Sequence, residues 1–116
     1  MVGRGAAHND ELTLHVARPR DLWLHAKNWT GAHVVVPLGK GMSCPPDLLV
    51  QAAHLAAHFS DARGERTVEV SYAPRRYVRK RKGSAPGAVV VDREKVLLLR
   101  KEPATLRRLL ESEVDV

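Results

Sequence analysis

Asp21, Trp23 and His25 recur at every second position of Asp21-Leu22-Trp23-Leu24-His25. On a strand this spacing puts a carboxylate, an indole and an imidazole on one face, with Leu22, Leu24 and Ala26 on the other. Eight residues beyond His25, after Gly31, comes His33, and adjacent strands could bring the two imidazoles together. Two imidazoles and a carboxylate can hold a metal or move protons. No HExxH helix, second carboxylate at matching spacing or nucleophile elbow accompanies them, so the residues argue against an enzyme. The plainer alternative makes Trp23 a core residue and His25 an incidental surface one.

The other candidates are weaker. His54 and His58 are four apart on a helix, a spacing that can clamp a metal, but no Glu lies between them in the HExxH sense and no third ligand is near. They read as a solvent-side pair. Cys44, within Ser43-Cys44-Pro45-Pro46, has no base fixed beside it and reads as a small loop residue. Gly39-Lys40-Gly41 lacks the full phosphate-loop pattern. No metal and no cofactor is expected.

Charge points more firmly. The 116 residues carry 19 Lys and Arg against 13 Asp and Glu, a net charge of +6. Residues 75–82 read Arg75-Arg76-Tyr77-Val78-Arg79-Lys80-Arg81-Lys82, with six basic residues and no acidic one. Without them 13 basic residues face 13 acidic ones, so this strip carries the whole excess. A localised cationic strip is the footprint of a polyanion partner. Thirteen of the 19 basic residues are Arg, whose planar fork matches phosphate oxygens in pairs. The bland alternative is a solvated charged hairpin.

A chain of this length makes one domain, 1–116. One cysteine excludes an intramolecular disulfide, no apolar run approaches a membrane span, and the N-terminus lacks the apolar segment of a secretory signal. A cytoplasmic protein with no membrane partner is expected. Strand patterns cover Leu12–Val16, Leu22–Ala26, His33–Val36, Thr67–Tyr72, Tyr77–Arg79, Ala88–Val91 and Val96–Leu99, the last two as a hairpin. Pro45-Pro46-Asp47 opens the one long helix, with Leu48, Ala52, Leu55 and Phe59 as an apolar stripe. It should end near Ala62 with Gly64 as cap. Pro103 opens a short last helix to about Leu110, and 111–116 is an acidic tail expected to fray. The fold class is α+β: a mostly antiparallel or mixed sheet of about six short strands packed on one long Ala-rich helix, with a short C-terminal helix.

These segments together resemble the RNA-binding domain called NFACT-R, found in ribosome quality-control proteins that recruit tRNA to stalled large subunits and extend the trapped nascent chain. The same family has been labelled fibronectin- or fibrinogen-binding. Val2-Gly3-Arg4 followed by Asn9-Asp10-Glu11-Leu12-Thr13 resembles its opening. Asp21-Leu22-Trp23-Leu24-His25-Ala26 matches its D-x-W-x-H-A signature and Gly31-Ala32-His33-Val34-Val35 its G-S-H-V segment. The stretches Gln51 to Ala57 and Ser60 to Arg63 resemble its alanine-rich helix. Val78 to Gly83 with Pro86-Gly87 resembles its K-x-x-G-x-x-P-G loop. Coverage runs over residues 2–100. Ala32 departs from the usual serine, Arg81 from a proline, and Ala85 and Ala88 occupy positions often lysine. Gly5 stands where a hydrogen-bonding side chain is usual.

The larger relatives carry an N-terminal domain, a helix-hairpin-helix segment and coiled-coil arms, which do not fit in 116 residues. The chain is therefore expected to be a free-standing form of the domain or an excised piece. The resemblance implies an RNA-facing surface containing Asp21, Trp23, His25 and His33, with Arg4, Arg75, Arg76, Arg79, Lys80, Arg81 and Lys82 holding the backbone. In that role Trp23 stacks a base or ribose, the histidines donate to phosphate or a 2′-hydroxyl, and Asp21 orients a histidine or accepts from a base edge. The expected partner is tRNA or ribosomal RNA, with the large ribosomal subunit as its setting, in translation quality control or RNA processing. Two other classes compete: an RNA hydrolase using His25 and His33, and an adaptor whose 75–82 strip meets an acidic protein.

Overall fold

The computed structural model describes residues 1–114, with side chains through Glu111. Five antiparallel strands form the main sheet in the order β1 (Val2–Gly3), β3 (His33–Val36), β2 (Leu22–Ala26), β4 (Thr67–Pro74) and β7 (Lys95–Arg100). A two-stranded ribbon, β5 (Val78–Arg79) with β6 (Val90–Val91), stands apart from it. Helix α1 (Ala6–Asp10) precedes β2, α2 (Pro46–His58) joins β3 to β4, and α3 (Pro103–Val114) ends the described chain.

Alternation along β2 divides the molecule into two cores. Leu22, Leu24 and Ala26 face α2 together with Val34, Val36, Val68, Val70 and Leu99. Ala52, Ala53, Ala56 and Ala57 of α2 are almost wholly buried there, because methyl side chains let the helix axis approach the sheet. Burying this face is the main stabilising term. Trp23 and Val35 point the other way and pack with Leu12 and Val78 in a second, smaller cluster under α1 and the ribbon.

Several expectations are corrected. Leu12–Val16 is not a strand: α1 runs on as a π-helical turn, Glu11–Val16. Of its alternating apolar residues only Leu12 is buried, while Val16 is exposed and the polar Thr13 is buried, a pattern with no strand face. Residues 88–99 are not a hairpin. β6 pairs with β5, and β7 pairs with β4 so that Leu97 and Leu99 lie opposite Val70 and Val68. Arg93, at φ 54° between them, redirects the chain.

Helix α2 stops at His58 rather than near Ala62. Ser60 is extended and its Oγ accepts from the Ala62 N–H at 3.1 Å, capping a separate 3₁₀ turn, Asp61–Gly64. His54 is buried, not solvent-side. Its Nε2 accepts from the Glu102 backbone N–H at 3.0 Å, so Nδ1 donates to the Val50 carbonyl at 2.8 Å, and the imidazole joins α2 to the start of α3. Helix α3 extends through Glu111 to Val114; the last two residues of the expected tail lie outside the described residues.

Candidate nucleic-acid interface

On the second face of the sheet Trp23, His25 and His33 form one aromatic cluster. The indole stacks on His25 with centroids 5.9 Å apart and meets the edge of His33 at 5.2 Å, while the two imidazoles are 5.4 Å apart. Neighbouring β2 and β3 thus bring the histidines together as their spacing allowed. Their exposures differ: His33 and Trp23 are each 2% exposed, and His25 is half-buried. Trp23 is therefore not an open stacking platform. The expectation failed because α1 and the ribbon cover the face that β2 presents opposite α2. Its indole N–H is buried with no acceptor among the described residues.

His33 is held at both its ring and its backbone. Its Nδ1 is 2.8 Å from the Thr13 hydroxyl, and its backbone N–H donates to Asn9 Oδ1 at 2.9 Å. The Asn9 amide donates in turn to the Gly31 carbonyl at 3.1 Å. Gly3 makes this possible, since a Cβ there would lie 2.7 Å from Asn9 Oδ1. Burial, and then the neighbouring His25, push the His33 pKa down to about 4; burial lowers His25 as well. A neutral imidazole offers one donor and one acceptor. That suits a hydroxyl better than a phosphate.

Asp21 does not join this cluster. It is 1% exposed, and its carboxylate accepts from the backbone N–H groups of Arg18 at 2.9 Å and Leu38 at 3.1 Å. It fastens two loops at the start of β2 and orients no histidine.

The basic strip separates into residues with different duties. Arg75 points inward, its guanidinium donating to the carbonyls of Thr13 and Val78. Arg79 pairs with Asp92 at 3.0 Å and Lys80 with Asp10 at 3.1 Å. Arg76 lies over the Tyr77 ring at 4.9 Å. Arg81 and Lys82 are exposed and, among the described residues, in no ion pair. Asp10 governs the whole loop, because its Oδ1 also accepts from the Gly87 N–H at 3.0 Å. Gly87 needs its missing side chain twice over: φ is 81°, and a Cβ would come 3.2 Å from Ala6 Cα. Lys80 and Gly87, the two ends of the K-x-x-G-x-x-P-G run, are thus tied to one carboxylate.

Two clefts meet at His25 and the Gly87-Ala88 edge. The smaller, about 360 Å³, reaches down to Trp23 and His33. The larger, about 630 Å³, runs past Arg4 to Trp29, His58 and Arg63. Sequence reading missed Thr13, Asn9, Asp10, Trp29 and Arg63. The pair Asn9-Asp10, an acid-amide pair ahead of a strip rich in donors, was a usable signal for two of them; nothing in local pattern marked the others.

Residues 1–92 match the family model of the NFACT protein RNA binding domain. The chain is 35% identical over 114 residues to the Rqc2 homolog RqcH of Bacillus subtilis (strain 168), covering 97% of this chain and 19% of that protein. It is 39% identical over 97 residues to the Rqc2 homolog RqcH of Streptococcus pneumoniae (strain ATCC BAA-255 / R6), covering 83% and 17%. The chain thus spans about a fifth of the length of these curated relatives. The solved C-terminal structure of the fibronectin/fibrinogen-binding protein from Streptococcus suis superposes with a TM-score of 0.85 at 32% identity, over 93% of this chain and 43% of that one.

Proposed function

The chain belongs to the NFACT protein RNA binding domain family, and from that premise we propose that it is a non-catalytic RNA-binding module acting in ribosome quality control in the cytoplasm. Its partner on this reading is tRNA or ribosomal RNA on the large subunit. One observation carries it: the Asp10 clamp holds a loop bearing Arg81 and Lys82, cations in no ion pair among the described residues, against the clefts where His25 emerges. Cations on a fixed loop position a phosphate backbone. His25, half-buried and with its pKa lowered by burial, is suited to a ribose 2′-hydroxyl, the group that separates RNA from DNA. Trp23, His33 and Asp21 serve by holding β2, β3 and the His25 ring in place. Arg4 lines the larger cleft, and Arg79 and Lys80 flank the loop in ion pairs with Asp92 and Asp10. Arg76 adds charge from a separate cleft beside Arg20 and Tyr72, and Arg75 supports the ribbon from within.

The test is binding of fluorescent tRNA and of large-subunit RNA fragments by the native chain, by Arg81→Glu with Lys82→Glu, and by His25→Ala. The loop variant should lose affinity for every RNA, whereas His25→Ala should lose affinity for RNA more than for DNA of the same sequence. No measurable affinity for any RNA would refute the proposal. Two neutral imidazoles 5.4 Å apart also favour a second reading, acid–base cleavage of RNA. Strand scission abolished by His25→Ala would establish that instead.

A further inference from the structure

We infer that the larger cleft is a subsite for one unpaired RNA nucleotide, with Trp29 as the surface on which its base stacks. The inference rests on the RNA-binding reading above and extends it to a ligand class and a site.

Four separate segments converge on this cleft: the turn before α1, the β2–β3 connection, the end of α2 with its 3₁₀ turn, and the Pro86-Gly87-Ala88 edge of the basic loop. Its volume of about 630 Å³ lies within the roughly 300–1,000 Å³ usual for small-ligand sites. That is room for one splayed-out nucleotide. Trp29 is 38% exposed, against 2% for Trp23, so the chain's accessible indole is here. The same cleft is also lined by a layered stack. The Arg4 guanidinium lies 4.3 Å above the Phe59 ring, and His58 meets the same ring edge-on at 4.8 Å. Arg4 and Arg63 are exposed and in no ion pair among the described residues. An aromatic platform beside arginines is the chemistry that binds single-stranded nucleic acid, because every base has a π face and every link a phosphate.

The platform is also pre-set. Gly31 bridges Ser60 so closely that a Cβ on it would lie 2.4 Å from Ser60 Cβ. On either side the Ala32 N–H donates to the Phe59 carbonyl at 2.9 Å and the Asp61 N–H to the Thr30 carbonyl at 2.8 Å. Asn28, in the left-handed region at φ 65°, turns the chain into this staple. The Trp29 loop therefore pays little ordering entropy on binding. Asp61, an acid lining the cleft, offers an acceptor to a base amino group or a 2′-hydroxyl, and the exposed guanidinium groups of Arg4 and Arg63 take the phosphate.

The deciding experiment compares a short mixed-sequence single-stranded RNA with a blunt RNA duplex, using the native chain, Trp29→Ala, Trp29→Phe, Arg63→Glu and the Arg81→Glu/Lys82→Glu loop variant. Trp29→Ala should weaken the single strand roughly 5- to 150-fold, the range expected for one stacked base, and leave the duplex unchanged. Trp29→Phe should recover most of the affinity, and Arg63→Glu should weaken the single strand again. Single-stranded RNA should quench the fluorescence of the native chain, and the quenching should vanish in folded Trp29→Phe. Unchanged single-strand affinity in Trp29→Ala, or equal losses for both RNAs, overturns the subsite. If the loop variant still weakens binding in that case, RNA recognition stands without it. If the native chain binds neither RNA, both readings fall together.

Discussion

The Nζ of Lys80 lies 3.1 Å from Oδ2 of Asp10, a partner 70 residues earlier, and each side chain is about three-quarters buried. The pair joins α1 to the basic loop, and the Gly87 N–H binds the same carboxylate. Asp10→Ala should therefore lower stability by about 1–2 kcal/mol, since it strands a partly buried ammonium and a backbone donor. Amide exchange should accelerate in residues 80–88 and stay protected in β2 and β4. Unchanged exchange in the loop would show that the clamp holds nothing.

Arg75 and the Arg81/Lys82 pair should respond in opposite ways. Arg75→Ala leaves the Thr13 and Val78 carbonyls without their donor and should cost about 1–3 kcal/mol in urea unfolding. Arg81→Glu with Lys82→Glu should leave the melting temperature within about 3 °C, because both side chains are exposed.

The salt dependence of RNA binding should expose the same division. With Arg4, Arg76, Arg81 and Lys82 each meeting a phosphate, the log–log slope should be about −3, at about −0.7 per contact. The double reversal should bring it to about −1.4. A native slope near zero would remove the strip from the interface.

Trp23→Ala should cost roughly 3–5 kcal/mol of stability, the range for deleting a buried aromatic ring. At 2% exposure Trp23 supports His25 and His33 rather than meeting a base. An exposed-type response, weak RNA binding in a fully stable variant, would contradict its burial.

Stability should fall in acid because of His33. Its folded pKa is about 4, below the ordinary 6.5, so the unfolded chain takes up the proton first. Above pH 6.5 both states are neutral and stability is at its full value. As pH drops from 6.5 to 4 the unfolded state gains by up to about 3 kcal/mol, and below 4 the loss levels off. His25, lowered in the same direction, steepens the decline. Replacing His33 with Gln should flatten the profile measured by denaturant unfolding across this range.

The legible parts of the molecule were those governed by local periodicity. β2 alternates Leu22, Leu24 and Ala26 against Trp23 and His25, and the structure divides them between its two cores as that pattern requires. The alanines of α2 and the prolines at its start were equally readable. What alternation cannot state is whether the second face is open. Trp23 is covered by Leu12 and Val78, which reach it through a helix in place of an expected strand and through a ribbon of two-residue strands. Asp21 illustrates the same limit. Its partners are backbone N–H groups of Arg18 and Leu38, and a backbone donor leaves no mark in the sequence. Within 75–82 composition located the positive charge, but long-range acids decided which cations remain available: Asp10 removes Lys80, and Asp92 neutralises Arg79.

β4 and β7 are antiparallel neighbours, with Tyr72 opposite Lys95. The whole stretch between them, including the β5–β6 ribbon and the basic loop, is thus topologically an insertion at the tip of one long hairpin. Loop-closure entropy grows only logarithmically, about 0.6 kcal/mol for each doubling of length, so the sheet is nearly indifferent to how many residues the tip contains. The Asp10 carboxylate fixes where the loop must start and end but sets no requirement on what lies between Lys80 and Gly87. Insertions after Gly83 can therefore change the reach and charge of the tip while the scaffold beneath keeps its register. Length variation, more than substitution, is the inexpensive route by which a domain of this kind can be fitted to a different RNA.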